Sequence, residues 1–239
     1  VDDSAVHDGE MSARIWPTGA SEEYAAARIE LDKAEHALHA EVARLAALRR
    51  DMPPGPVLAD YVFDEGPRDL GLTEPVAKVR LVDVFGEHDT LFVYHMMLAP
   101  GEQEACPMCS LWIDGLHGVS RHLTRHMALA VVAKAPLPAV RTWANRRGWD
   151  GLRMLSSHGT AFNADMGAET EAGDQLPMVS VYRREGDQVR HFYTQRANFM
   201  DNAEGGFDLL SPVWHVLDLL PTGRGDWYGG NSYAGRERG

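Results

Sequence analysis

The sequence predicts an α/β fold on a mainly parallel core sheet with right-handed crossovers. Three observations lead there. Strand-like runs alternate with helical patterns in a βαβα order; "MALAVVAKA" is apolar nearly throughout, as a central strand buried on both faces must be; and two helical patterns open on Pro107 and Pro136, a residue well tolerated in a first turn.

Residues 1–20 are polar and punctuated by "WPTGAS", which predicts a mobile arm. Residues 21–56 follow as one helix and its linker. Ser21 is the N-cap, Glu22 and Glu23 sit at the positive end of the dipole, Arg49 and Arg50 at the negative end, and "MPPGP" stops it. Tyr24, Leu31, Leu38 and Leu45 recur every seven residues, with Ala27, Ala34 and Leu48 alongside, a narrow stripe that suits one partner surface, either the main domain or a second subunit. A homodimer through this helix is therefore one expectation.

The main domain is expected over residues 57–226. "VLADYVF" predicts a short strand, and "KVRLVDVFG" and "TLFVYHMML" two more, joined by "EHD". Met108, Leu111, Trp112, Leu116, Val119 and Leu123 then fall at helical spacing, and "MALAVVAKA" is the next strand. "PLPAVRTWANRRG" is a helix with Gly148 at C′, and "GLRMLSSHG" a short strand. "TAFNADMGAETEAGDQL" predicts a polar loop, and "PMVSVYRREGDQVRHFYTQ" two strands around "EGD". "LSPVWHVLDLL" gives a last helix with Ser211 as N-cap and Pro212 at N1, and residues 227–239 a Gly-rich irregular tail.

A chain of 239 residues buries a core without staples, so stability does not require a disulfide. The net charge of -12, with no basic cluster longer than "RR", argues against a nucleic-acid partner. No leader pattern and no apolar run of about 18 residues is visible, so no membrane partner and a cytoplasmic location are expected.

In such a reducing compartment the only two cysteines, Cys106 and Cys109 in "EACPMCSLWIDGL", are expected to be catalytic or metal-binding rather than a structural bridge. A thiol attacks as its thiolate, and an ordinary cysteine with a pKa near about 8.5 is little ionised at neutral pH. Pro107 at N1 places Cys106 at the N-cap, where its sulfur meets unpaired N–H groups and the positive end of the dipole. A drop of about two pKa units requires about 2.7 kcal/mol of preference for the thiolate. Cys109 lies one turn on, in reach of Cys106 but shielded by the helix, which assigns attack to Cys106 and resolution to Cys109.

At this point the chain resembles the thioredoxin superfamily. "LVDVFGEHDTLFVYHMM" is similar to the paired strands before the active site of peroxiredoxins and membrane-tethered thioredoxin relatives, and "LPMVSVYRREGDQV" to the strand and hairpin after it in thioredoxins. More narrowly, "DYVF", "VYHMM", "CPMCSLWIDG", "KAPL", "GW", "SSHGTAFNADM" and "LDLLPTGR" resemble a bacterial thioredoxin-like family of unknown function, described as predicted dithiol-disulfide oxidoreductases. The resemblance implies a thioredoxin-like fold, a central mixed sheet flanked by helices with an N-terminal helical extension. It implies a cis bond at Leu176-Pro177 and a substrate groove bordered by Pro177 and Met178; Pro107, Met108 and Trp112 are candidates for its cysteine side, although Trp112 and Met108 read most simply as core residues of the helix. The implied partners are a protein or small-molecule disulfide or peroxide and a cellular thiol reductant, with no organic cofactor. Unlike thioredoxin, the chain has no Trp-Cys-Gly-Pro-Cys run, and Trp112 follows the pair.

The alternative chemistry is metal capture. His95, eleven residues before Cys106, would complete with Cys106 and Cys109 a set suited to copper or zinc, against the structural reading of a strand-end histidine. His117, His122 and His126 do not converge on one helical phase. Asp83 reads as a turn residue, Asp114 as either a neighbour of the pair or a surface group, and Ser157, His158, Asn163 and Asp165 as turn and capping groups. No GxSxG, P-loop or Rossmann glycine pattern occurs, so hydrolase, nucleotide-binding and dehydrogenase readings have no support.

Overall fold

A computed structural model describes residues 14–196, 210–225 and 229–231. The chain divides into two units, one ending at Pro53 and the other starting at Pro54. The first unit is helix α1, Glu22–Arg50. Ser21 caps it as predicted, its Oγ accepting the N–H of Tyr24 at 3.1 Å. No residue of α1 is buried, and Tyr24, Leu31 and Leu38 are each more than half exposed. Of the four heptad positions, Leu45 alone is partly buried.

In the second unit, β1 (Val62–Glu65), β2 (Ala77–Arg80), β3 (Thr90–Met96), β4 (Ala128–Ala133), β5 (Arg153–Ser156), β6 (Met178–Glu185) and β7 (Gln188–Arg196) form one sheet in the order β2-β1-β5-β4-β3-β6-β7. β3, β4 and β5 run parallel; β6 is antiparallel to β3, β7 to β6, and β1 to both β5 and β2. The helices are α2 (Leu81–Val84), α3 (Pro107–Leu123), α4 (Leu137–Arg147), α5 (Phe162–Asp165) and α6 (Pro212–Asp218). This mixed sheet flanked by helices is the thioredoxin-like fold. The crossovers β3-α3-β4 and β4-α4-β5 step in the same direction, so right-handedness places α3 and α4 on one face.

Strand alternation then builds two cores. On the first face Tyr94 and Met96 of β3 and Leu129, Val131 and Ala133 of β4 meet Met108, Cys109, Trp112, Trp143 and Trp214 from α3, α4 and α6. On the second, Leu91 and Val93 of β3 and Ala130 and Val132 of β4 meet Phe63, Leu81, Phe85, Phe162 and Tyr182. Gly148 closes α4 at φ 71, a left-handed position that glycine enters without a Cβ clash.

Two local expectations change. "KVRLVDVFG" is a strand only to Arg80, after which one helical turn begins. Leu81, Val84 and Phe85 are all fully buried in the second core, and a turn brings all three to one side where a strand would split them. Within the expected polar loop after β5, α5 buries Phe162, whose ring meets Tyr61 and Phe63 edge-on at 5.1 and 4.9 Å. Phe162 is the apolar anchor of that loop. Of the predicted arm, residues 1–13 lie outside the described residues, as do 226–228 and 232–239 of the tail. No described helix is long and apolar enough to cross a membrane.

Candidate active site: an asymmetric cysteine pair

The loop after β3 delivers Cys106 to the start of α3. The Cys106 N–H donates to Met97 O at 3.1 Å, tying the loop's last residue to the end of β3. Cys106 adopts φ -51, ψ 132 as the N-cap with Pro107 at N1, as the sequence predicts. Its carbonyl accepts the first helical bond from the Ser110 N–H at 3.0 Å. The expected cap contacts to the sulfur are not formed: Cys106 makes no side-chain cap hydrogen bond. Its sulfur is engaged with Cys109 instead.

Cys109 is wholly buried, in the first core, while Cys106 is partly exposed. Met97 N–H donates to Cys109 Sγ at 3.5 Å. Burial pushes the Cys109 thiol well above its ordinary pKa, with its hydrogen bond and charge coupling to Cys106 adding to the rise, against smaller opposing pulls from the Met97 N–H and the Tyr94 hydroxyl. Cys109 is therefore a thiol at neutral pH. Of the two cysteines, Cys106 is the one that is partly exposed. No disulfide joins the two cysteines in this structure.

Of the residues expected to border a substrate groove, only Pro107 and Pro177 are partly exposed. Met108 is 2% exposed and Met178 fully buried in the core that holds Cys109. Trp112 belongs to the core: its ring stacks on Trp214 at 5.8 Å, locking α6 onto α3. Trp112 lies three residues after Cys109 and so shares its inward face. The expectation of a cis bond at Leu176-Pro177 is corrected, since Glu74-Pro75 is the one cis peptide among the described residues. Leu176 N–H donates to Ala168 O at 2.8 Å, and the chain runs from that tie into β6 at Met178.

His95 is placed away from the pair. Tyr94 and Met96 point to the cysteine face, and alternation turns His95 to the other. There its ring stacks on Phe162 at 5.5 Å, and Nε2 lies 3.0 Å from Ser180 Oγ. Ser180 Oγ continues to Thr194 Oγ1 at 2.9 Å and Thr194 to His191 Nε2 at 2.7 Å. Burial, with His191 nearby, pushes the His95 pKa down to about 3. The three expected metal ligands are not brought together, and no group of three or more His, Cys, Asp or Glu among the described residues is placed to hold a metal ion.

The other candidates either make structural bonds or face solvent. His117 Nε2 lies 3.0 Å from Asp150 O, His122 and His126 are exposed, and Asp83 is exposed on α2. Asp114 is bound by Arg147 and by Trp149 Nε1 at 2.8 Å, bridging α3 to the end of α4. Ser157 donates to Asn163 Oδ1 at 2.6 Å, Asn163 Nδ2 to Gln175 Oε1 at 2.7 Å, and Asp165 accepts from Tyr61 OH at 2.7 Å. His158 is exposed at the rim of a half-open cavity of about 540 Å³ beside the start of α4, with Leu70, Val76, Leu137 and Arg141; neither cysteine lines it.

Three neighbours of the pair escaped the sequence reading. Tyr94 was signalled by period-two alternation, had the inward face of β3 been known. Gly229 and Asn231, from the tail, had no local signal at all. Asn231 Nδ2 donates to Ala105 O at 2.9 Å, and Gly229 lies against Pro107, Met108 and Leu111.

Solved structures similar to this chain include AhpC of Enterococcus faecalis, at 17% identity over 66% of this chain and 89% of that one, with a TM-score of 0.46. Peroxidoxin BcpB of Mycobacterium tuberculosis is similar at 14% identity over 66% and 94%, TM-score 0.46. A putative thioredoxin reductase of Burkholderia cenocepacia is similar at 18% identity over 58% and 84%, TM-score 0.44. No curated protein matches the chain. The family model described as bacterial protein of unknown function (DUF899) matches residues 14–237, and the chain belongs to that family.

Proposed function

We propose that the protein is a thiol-dependent oxidoreductase of the thiol-disulfide or peroxidase kind, cycling Cys106 and Cys109 between dithiol and disulfide. The observation that carries this reading is the asymmetry of the pair: Cys106 is solvent-reachable at a helix N-terminus, with Cys109 buried against it one turn on and held as a thiol. The helix dipole favours a thiolate at position 106, which acts as the nucleophile.

With a hydroperoxide, the Cys106 thiolate forms an S–O bond as the O–O bond breaks; the alcohol or water leaves with a proton, and Cys106 becomes a sulfenic acid. The Cys109 sulfur then attacks, forming the disulfide as the S–O bond breaks and water departs with the thiol proton. With a disulfide substrate, a mixed disulfide on Cys106 replaces the sulfenic acid and a thiol replaces water. A cellular dithiol returns two electrons and two protons to regenerate the pair.

Replacing Cys109 by Ser stops the cycle halfway. Hydrogen peroxide or a small disulfide then leaves a sulfenic acid or mixed disulfide on Cys106, read by intact-protein mass spectrometry. A Cys106 that stays unmodified in this variant defeats the reading. The heptad spacing of Tyr24, Leu31, Leu38 and Leu45 along α1 supports the companion proposal that a second copy pairs through this helix. Gel filtration of a chain starting after Pro56 should then give a smaller oligomer than the full chain, and an unchanged state removes that role.

A further inference from the structure

We infer that the tail segment Gly229–Asn231 is a substrate-selecting wall of the Cys106 site, which confines the site to small oxidants such as hydroperoxides and excludes disulfides on folded proteins. The inference rests on the thiol reading above and adds a substrate class to it.

The segment brackets Cys106 in sequence and in space. On one side of the cysteine, Asn231 Nδ2 donates to Ala105 O at 2.9 Å and to Glu104 Oε2 at 3.4 Å. On the other, Gly229 is buried over the first turn of α3. A Cβ built on Gly229 would lie 3.1 Å from Met108 Sδ, 3.7 Å from Leu111 Cβ and 3.7 Å from Pro107 O. A side chain there would require Met108 Sδ to give way by a few tenths of an ångström.

The anchors are firm. Arg147 donates to Asn231 O at 3.3 Å while paired with Asp114 of α3, and its side chain is 7% exposed. Arg146 holds the far oxygen of Glu104 at 2.7 Å, so α4 secures both the tail and the loop that the tail grips. A segment tied to α4, to the loop before Cys106 and to the turn after it forms a fixed side of the site.

A protein disulfide must lay several residues of backbone beside the attacking sulfur before exchange can occur. The surface that would receive it is narrowed on the tail's side, where Gly229 lies over the buried Met108, while Pro107 and Pro177 stay partly exposed. A hydroperoxide needs only a path for its terminal oxygen to the partly exposed Cys106. The sulfenic acid formed there is within reach of Cys109, so the second step requires no room for a macromolecule.

The test compares two oxidants on the reduced full-length chain: hydrogen peroxide, and insulin as a protein disulfide. Both are followed by the loss of free thiol, with Asn231→Ala and Gly229→Val alongside the parent. Circular dichroism and the thermal midpoint establish that each variant is folded, and Asn231→Ala, which adds no bulk, serves if Gly229→Val is not. The expected result is a ratio of insulin rate to peroxide rate that rises by about tenfold or more when the tail is loosened. A ratio unchanged in the folded variants overturns the wall, as does a parent protein that takes insulin as fast as peroxide. A Cys106 inert to both oxidants in every form defeats the underlying thiol reading and the wall with it.

Discussion

The two faces of the sheet carry the two sets of chemistry-bearing residues, and they treat them in opposite ways. On the α3 face one cysteine, Cys106, is left partly exposed and the other, Cys109, is buried behind it. On the other face, His95, Ser180, Thr194 and His191 form a hydrogen-bonded chain that starts inside the core, with His95 1% exposed. The difference teaches that burial alone does not mark a site. On the proposed function, Cys109 takes part in chemistry because the partly exposed Cys106 stands in front of it.

The contrast breaks first at the level of activity. Cys106→Ser is expected to lower peroxide or disulfide turnover on the order of 10³-fold or to background, whereas His95→Phe, on the far face, leaves it within a few-fold. A His95 variant as inactive as the Cys106 variant would join the two faces into one site. The next effect is on stability. Trp112 and Trp214 stack where α3 meets α6, so Trp112→Ala is expected to cost about 3–5 kcal/mol in chemical denaturation. A loss under about 1 kcal/mol would show that the helix carrying the cysteines is not held from that side.

The effect of His95 appears only with pH. Its folded pKa, about 3, lies below the ordinary value of 6.5, so the unfolded chain takes up the proton first as pH falls. The contribution of neutral His95 is complete above about pH 6.5 and is lost as pH drops toward 3, with a slope of up to about 1.4 kcal/mol per pH unit. His95→Phe keeps a ring against Phe162 and should flatten that slope by about one proton. An equally steep slope in the variant would mean that other groups, His191 first among them, account for the acid sensitivity.

What was legible in the sequence follows the range over which each signal acts. Pro107 announced the start of α3 and put Cys106 at its N-cap, and Gly148 announced the end of α4, because caps and breakers act within one turn. The β6-β7 hairpin around "EGD" was local too. The facing of β3 was not: Tyr94 and His95 alternate in an almost wholly apolar run, and only the helices packed above decide which one meets Cys109. The same limit explains "KVRLVDVFG", where the demands of the second core turned the end of an apparent strand into α2. Asn231 and Ala105 are 126 residues apart, and no spacing rule connects them.

The asymmetry of the cysteine pair is tested most directly by the rates at which its two thiols are alkylated. Reduced protein, pulsed with iodoacetamide at neutral pH and mapped by peptide mass spectrometry, should label Cys106 at least about 100-fold faster than Cys109, because Cys106 is partly exposed and Cys109 is held as a buried thiol. Equal labelling of the two, or faster labelling of Cys109, would contradict the account.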